Sequence, residues 1–184
     1  KELGRPMLIT ALPVGLIVIQ PDLGTAGLVA LIAATVTLFV KVARRALALL
    51  LAVGAAVVPA AWVLLKDYQR RRILTFLDPD HDPLGAGYHI IQSKIAIGSG
   101  MLTGKGYLQG TQNALSFLPE EHTDFIFSVL SEEWGLVGAA ALILLFVLLV
   151  VRGLSIAHRC RDPFGMVLAV GITVMLFWQI VINI

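Results

Sequence analysis

The chain has 184 residues, with 14 Lys and Arg against 12 Asp and Glu for a net charge of +2; 58% of it is hydrophobic and 14% charged. At a mean hydropathy of +0.87 it carries too little charge for an ordinary soluble domain, so an all-α polytopic integral membrane protein is expected. The net charge itself says little, no nucleic-acid partner is expected, and the single cysteine, Cys160, makes no internal disulfide.

Lys1 to Arg5 is a short basic leader. Residues 7–20 are apolar but short for a hydrocarbon layer of about 30 Å, and Pro13 would kink them. Gln20-Pro21-Asp22-Leu23-Gly24-Thr25 reads as a tight break, with Asp22 placed to cap the next helix. Residues 23–40 form a second apolar run, closed by Lys41, Arg44 and Arg45, and residues 46–65 a third, bent at Pro59. The chain is then polar from Lys66 to Asp124. Residues 125–151 are the strongest span, interrupted by Glu132 and Glu133 near its start; Arg152 to Asp162 is a basic connector, and 164–184 the last span. Five membrane segments follow from this. The chain opens without an initiator methionine or a signal-peptide pattern and closes inside an apolar run, so a fragment of a longer protein is expected.

Orientation follows from basic residues. If all five segments cross, the three short connectors on one side hold eight Lys and Arg (positions 1, 5, 41, 44, 45, 152, 159 and 161) against Glu2 and Asp162. The other side holds the Pro21-Asp22 turn and the loop 66–124, with six Lys and Arg against seven Asp and Glu. The basic connectors are therefore cytoplasmic and the long loop extracytoplasmic. So long a connector is expected to be partly ordered. Lys66 to Leu77 reads as a helical continuation of the third span, and Tyr88, Ile91 and Ile95 repeat at the spacing of an amphipathic interfacial helix. Gly98 to Gly110, with five glycines, reads as loop.

Several motifs have plain explanations. Gly98-Ser99-Gly100-Met101-Leu102-Thr103-Gly104-Lys105-Gly106 lacks the glycine and the Ser or Thr that a phosphate loop requires where Ser99 and Gly106 stand. Its glycines instead let the backbone approach the membrane surface or a pyrophosphate, with Lys105 adding charge. His81, His89 and His122 lack zinc-ligand spacing. Asp78, Asp80 and Asp82 lack the glycine and the terminal Glu of a calcium loop and suit turns. Arg70-Arg71-Arg72 is either a solvated face anchoring anionic headgroups or a diphosphate-binding fork.

The stretch Leu115 to Ser128 sets Glu120, Glu121, His122 and Asp124 against the start of the longest apolar run. A carboxylate at a membrane boundary is costly to desolvate, so it needs a partner or a task. A helix starting near Thr123 would place Asp124, Ser128 and Glu132 on one stripe. Thr123 or Asp124 acting merely as a helix cap is the alternative.

Six motifs in order carry a resemblance over essentially the whole chain. They are Gln20-Pro21-Asp22-Leu23-Gly24-Thr25, Asp67-Tyr68-Gln69-Arg70, the run from Asp78-Pro79 to Gly87-Tyr88, Gln92 to Gly100, Gly104-Lys105-Gly106, and Phe117-Leu118-Pro119-Glu120 with His122-Thr123-Asp124-Phe125-Ile126-Phe127. The chain resembles the SEDS family of RodA, FtsW and SpoVE, and Gly85 to Gln92 with Asp67 to Arg70 favour the RodA branch. Glu121, where relatives commonly carry a basic residue, is a small departure. The resemblance implies the fifth to ninth helices of a ten-helix bacterial inner-membrane protein that polymerises lipid II, the piece alone being inactive. It makes Asp124 the residue essential for polymerisation and a class B penicillin-binding protein, a transpeptidase, the partner. The implied reaction is attack of a sugar 4-hydroxyl on an anomeric carbon activated by a lipid-linked diphosphate, with Asp124 as base. Positive charge for the leaving diphosphate would come from Arg70 to Arg72, Lys94, Lys105 or a divalent cation such as Mg or Mn. His122 and Ser128 complete the candidate substrate-binding set. A lipid II flippase is the alternative activity.

Overall fold

The computed structural model describes residues 4–20, 22–39, 65–81, 86–110 and 124–184, with isolated positions 48, 52, 54–56, 59, 62 and 63 between them. Most of segment 46–65, the Lys41 to Arg45 cluster, and His122 therefore lie outside the described residues. Among the described residues all regular structure is helical: α1 (Gly4–Ile19), α2 (Leu23–Phe39), α3 (Asp67–Leu77), a 3-10 turn (Pro79–His81), α4 (Ala86–Ser99), α5 (Ile126–Arg159) and α6 (Pro163–Asn183). The chain divides into two compact units, Lys1–Ala55 with Val147–Ile182, and Ala56–Phe146 with Asn183–Ile184.

In the first unit α1 packs on α2. Asp22 caps α2 as its position suggested: its carboxylate accepts from the Thr25 amide at 3.1 Å and the Thr25 hydroxyl at 2.6 Å. Apolar helices must satisfy their own hydroxyls, and Thr35 and Thr37 donate to the carbonyls of Leu31 and Ala33. The core is Ala157, Val170 and Val174, with Ile32, Val36 and Trp178 packed against it. Trp178 Nε1 donates to Thr35 Oγ1 at 3.0 Å, joining α2 to α6. α5 runs through the expected connector as far as Arg159, where His158 and Arg159 complement the negative end of the helix. Asp162 then caps α6 through the Gly165 amide at 2.8 Å, and Pro163 takes the first helical position, where its missing N–H costs nothing.

In the second unit α3 is a fresh helix rather than a continuation: Lys66 is extended (φ −68°, ψ 154°) and its amide donates to Gln69 Oε1 at 3.0 Å. α4 reaches Ser99, so Gly98 is helical and the loop begins only at Gly100. The side of α4 turned inward lies away from Ile95, the last residue of the Tyr88-Ile91-Ile95 stripe. Ile95 is 46% exposed, whereas Ala96 is fully buried and Ser93 faces Ser128. Small and hydroxyl side chains let α4 and α5 approach closely, which a stripe of isoleucines would prevent. α5 and α6 are the two described helices long and apolar enough to cross a membrane.

Candidate active site

α5 is broken near its start. Gly135 has φ 63° and ψ −162°, outside the helical region, so residues 126–134 form a half-helix distinct from 136–159. A break in an apolar helix orphans carbonyls on one side and amides on the other, and each group left unpaired in such surroundings costs several kcal/mol. Residues 101–106 supply the partners. The amides of Lys105 and Gly106 donate to the carbonyls of Glu132 and Glu133, both at 3.0 Å. On the far side the Leu136 and Val137 amides donate to the carbonyls of Met101 at 2.9 Å and Leu102 at 3.1 Å. Met101 adopts φ 47°, rare for a residue with a side chain, while its carbonyl serves the break.

Glycine is required at three of the points where this staple and the helix touch. A Cβ on Gly100 would meet the Ser131 carbonyl, one on Gly104 the Glu133 carbonyl, and one on Gly135 the Gly104 amide. Gly104 (φ 77°) and Gly135 also hold left-handed conformations that glycine accepts without strain. The glycine-rich run thus brings its backbone against α5.

The side chains reinforce the staple. Lys105 Nζ lies 2.6 Å from Glu132 Oε1; the Glu132 side chain is fully buried and that of Lys105 is 28% exposed. Breaking one partner of such a buried pair costs on the order of 3–5 kcal/mol. Ser99 Oγ stands 3.5 Å from the same carboxylate oxygen, at the limit of a hydrogen bond. One turn earlier, Ser93 Oγ and Ser128 Oγ are 2.6 Å apart, and Ser131 Oγ donates to the Phe127 carbonyl. The His89 ring lies 6.4 Å from that of Phe125, and its Nδ1 is buried with no hydrogen bond among the described residues.

Asp124 stands in the turn before α5 and is exposed. The Ser128 and Val129 amides, third and fourth in α5, donate to the Phe125 carbonyl, and among the described residues the Asp124 carboxylate takes no hydrogen bond. It does not cap the helix. The expected stripe survives from Ser128 to Glu132, both buried, but Asp124 lies outside the helix.

The proposed cations separate. Arg70 donates to the carbonyls of Trp62 at 3.1 Å and Val63 at 2.8 Å, and Lys105 is paired with Glu132. Lys94, Arg71 and Arg72 are exposed. Sequence reasoning missed Ser93, Ser99 and the break itself. The available signal was Gly135, standing just after two carboxylates that had no evident partner in an apolar run.

The model of the FtsW/RodA/SpoVE family, described as cell cycle proteins, matches residues 1–184. The peptidoglycan glycosyltransferase MrdB of Escherichia coli K12 is 51% identical over all of this chain and half of its own length. The peptidoglycan glycosyltransferase RodA of Treponema pallidum is 49% identical over 66% of this chain and 28% of its own. A chain from a solved peptidoglycan synthase complex, reported for its structural coordination of polymerization and crosslinking, superposes with a TM-score of 0.74. Its identity is 35%, over 97% of this chain and 48% of its own. The present chain thus spans about half the length of MrdB. On a match that runs from the first residue to the last, the chain belongs to the FtsW/RodA/SpoVE family of cell cycle proteins.

Proposed function

We propose that the protein is a peptidoglycan glycosyltransferase that polymerises lipid II into glycan strands for cell elongation and rod shape. The observation that carries this reading is the 51% identity, over the whole chain, to a relative named for that activity. The protein is a multi-pass component of the bacterial cytoplasmic membrane with a ten-helix fold, to which 7–20, 23–40, 46–65, 125–151 and 164–184 contribute spans. Leu8, Leu12, Leu144 and Leu145 are exposed on α1 and α5, as lipid-facing side chains are. Loop 66–124 faces outward. In a Cys160-free background, single cysteines at position 80 but not at position 44 are expected to react with an impermeant maleimide after outer-membrane permeabilisation; the reverse pattern inverts the topology.

Asp124 is the base. As the acceptor 4-hydroxyl oxygen forms a bond to the anomeric carbon, the bond from that carbon to the diphosphate oxygen breaks and the hydroxyl proton passes to the Asp124 carboxylate. An exposed carboxylate that takes no hydrogen bond among the described residues is open to that hydroxyl. Lys94, Arg71 and Arg72 are the cations exposed to receive a diphosphate. Among the described residues no three His, Cys, Asp or Glu side chains converge; a divalent cation such as Mg or Mn, which takes one or two carboxylates together with the substrate's own phosphate oxygens, is the other source of positive charge for the diphosphate. A class B penicillin-binding protein is the partner, as the solved complex that couples polymerization to crosslinking suggests.

A flippase would need a polar path for a large headgroup. Here the Thr35, Thr37 and Thr173 hydroxyls are occupied by carbonyls of their own helices, and the carboxylates Glu132 and Glu133 sit near one end of α5. A protein of the relatives' full length carrying this sequence, purified in detergent with its partner's transpeptidase inactivated, is expected to make glycan polymer from lipid II. Detergent removes any two-sided compartment, so polymer formed there is not a product of transport. Absence of polymer, with Asp124-dependent translocation in sealed vesicles, favours the flippase.

A further inference from the structure

We infer that Lys105 and Glu132 form a clasp that positions Asp124, and that Lys105 is not one of the cations that meet the diphosphate. The inference rests on the glycosyltransferase reading for its activity readout, and on geometry alone for its structural one.

Residues 126–134 are cut from the rest of α5 at Gly135, so the long helix does not by itself fix their direction. Contacts from α4 and the 101–106 loop do so, among them the Gly106 amide on the Glu133 carbonyl. In the middle, Ser128 meets Ser93 of α4 at 2.6 Å. At the end, Lys105 holds Glu132 twice, through its amide on the Glu132 carbonyl at 3.0 Å and its ammonium on the Glu132 carboxylate at 2.6 Å. Asp124 stands at the opposite end of this half-helix, two turns from Glu132. A rigid segment gripped at one end carries any tilt to the other, and a reacting group misplaced by about 1 Å can lose on the order of a hundredfold in rate. The ammonium is also committed: a Lys105 drawn to a diphosphate would have to leave a fully buried carboxylate.

The test is a double-mutant cycle in a protein of the relatives' full length carrying this sequence. Lys105→Met leaves the Glu132 charge without its ammonium; Lys105→Met with Glu132→Gln removes both charges at similar volume. The clasp predicts that K105M lowers kcat about 10- to 100-fold with KM for lipid II nearly unchanged. The double variant recovers most of that loss. Amide exchange over residues 126–134 rises in K105M and falls back in the double variant, while 140–158 stays as in the wild type. Glu132→Gln alone is the second arm, usable if K105M is recovered too poorly to assay. The clasp predicts a lower kcat, whereas a diphosphate-binding Lys105, released from its partner, would keep or raise activity. A double variant as inactive as K105M, with exchange at 126–134 unmoved in both, overturns the clasp. If the wild type makes no polymer, the glycosyltransferase reading fails, and the exchange data still decide whether Lys105 and Glu132 hold the half-helix.

Discussion

Alanine at Gly135 is expected to destabilise the second unit by roughly 2–6 kcal/mol, the sum of a left-handed backbone strain of about 1–3 kcal/mol and a similar overpacking cost. The residue holds φ 63°, and a Cβ there would collide with the Gly104 amide and stand 2.7 Å from the Leu102 carbonyl. Neither neighbour can yield cheaply, because both are backbone and both sit in the hydrogen-bonded staple. Gly104→Ala is expected to behave alike, since its Cβ would meet the Glu133 carbonyl at φ 77°. Gly98→Ala is the control. Gly98 is helical with nothing within 4 Å of a Cβ, so alanine there is expected to be neutral or stabilising by about 0.5–1 kcal/mol. Melting in detergent, followed by loss of the monodisperse peak, ranks the three. A Gly135→Ala protein that melts with the wild type would show that the 101–106 loop does not enter the helix.

These glycines also mark where the sequence stopped being legible. Composition and the long apolar runs foretold helices, and Asp22 and Asp162 sit next to the starts that their capping chemistry demands. Local signals of that kind depend on residues close in sequence. The break at Gly135 does not, because its stabilising partners are backbone groups some thirty residues upstream, and backbone groups look alike in every sequence. For the same reason nothing in the glycine-rich run itself announced that its backbone packs against α5. Lys105 is instructive in a different way. A lysine in a polar loop reads as available charge, and only its 2.6 Å pairing with Glu132 shows that it is engaged. Arg70 likewise serves the Trp62 and Val63 carbonyls. Asp124 went the other way: a position before a helix suggested a cap, yet the Ser128 and Val129 amides go to the Phe125 carbonyl.

That last distinction gives the second large effect. Asparagine is nearly isosteric with aspartate and remains a competent cap, but it cannot accept the acceptor sugar's proton. Because the Asp124 carboxylate takes no hydrogen bond among the described residues, Asp124→Asn removes no interaction seen there. Its stability is expected to stay within about 0.5 kcal/mol of the wild type, as for other exposed substitutions. Removing a general base is expected to lower the rate by about 10²–10⁴-fold. The decisive measurement is the initial rate of glycan polymerisation from lipid II by Asp124→Asn and wild-type proteins of the relatives' full length, in detergent, at matched folded concentration. The account predicts equal melting and a rate loss of at least about a hundredfold. A folded Asp124→Asn protein that polymerises lipid II at the wild-type rate would contradict it, leaving Asp124 a residue of the turn and the base elsewhere.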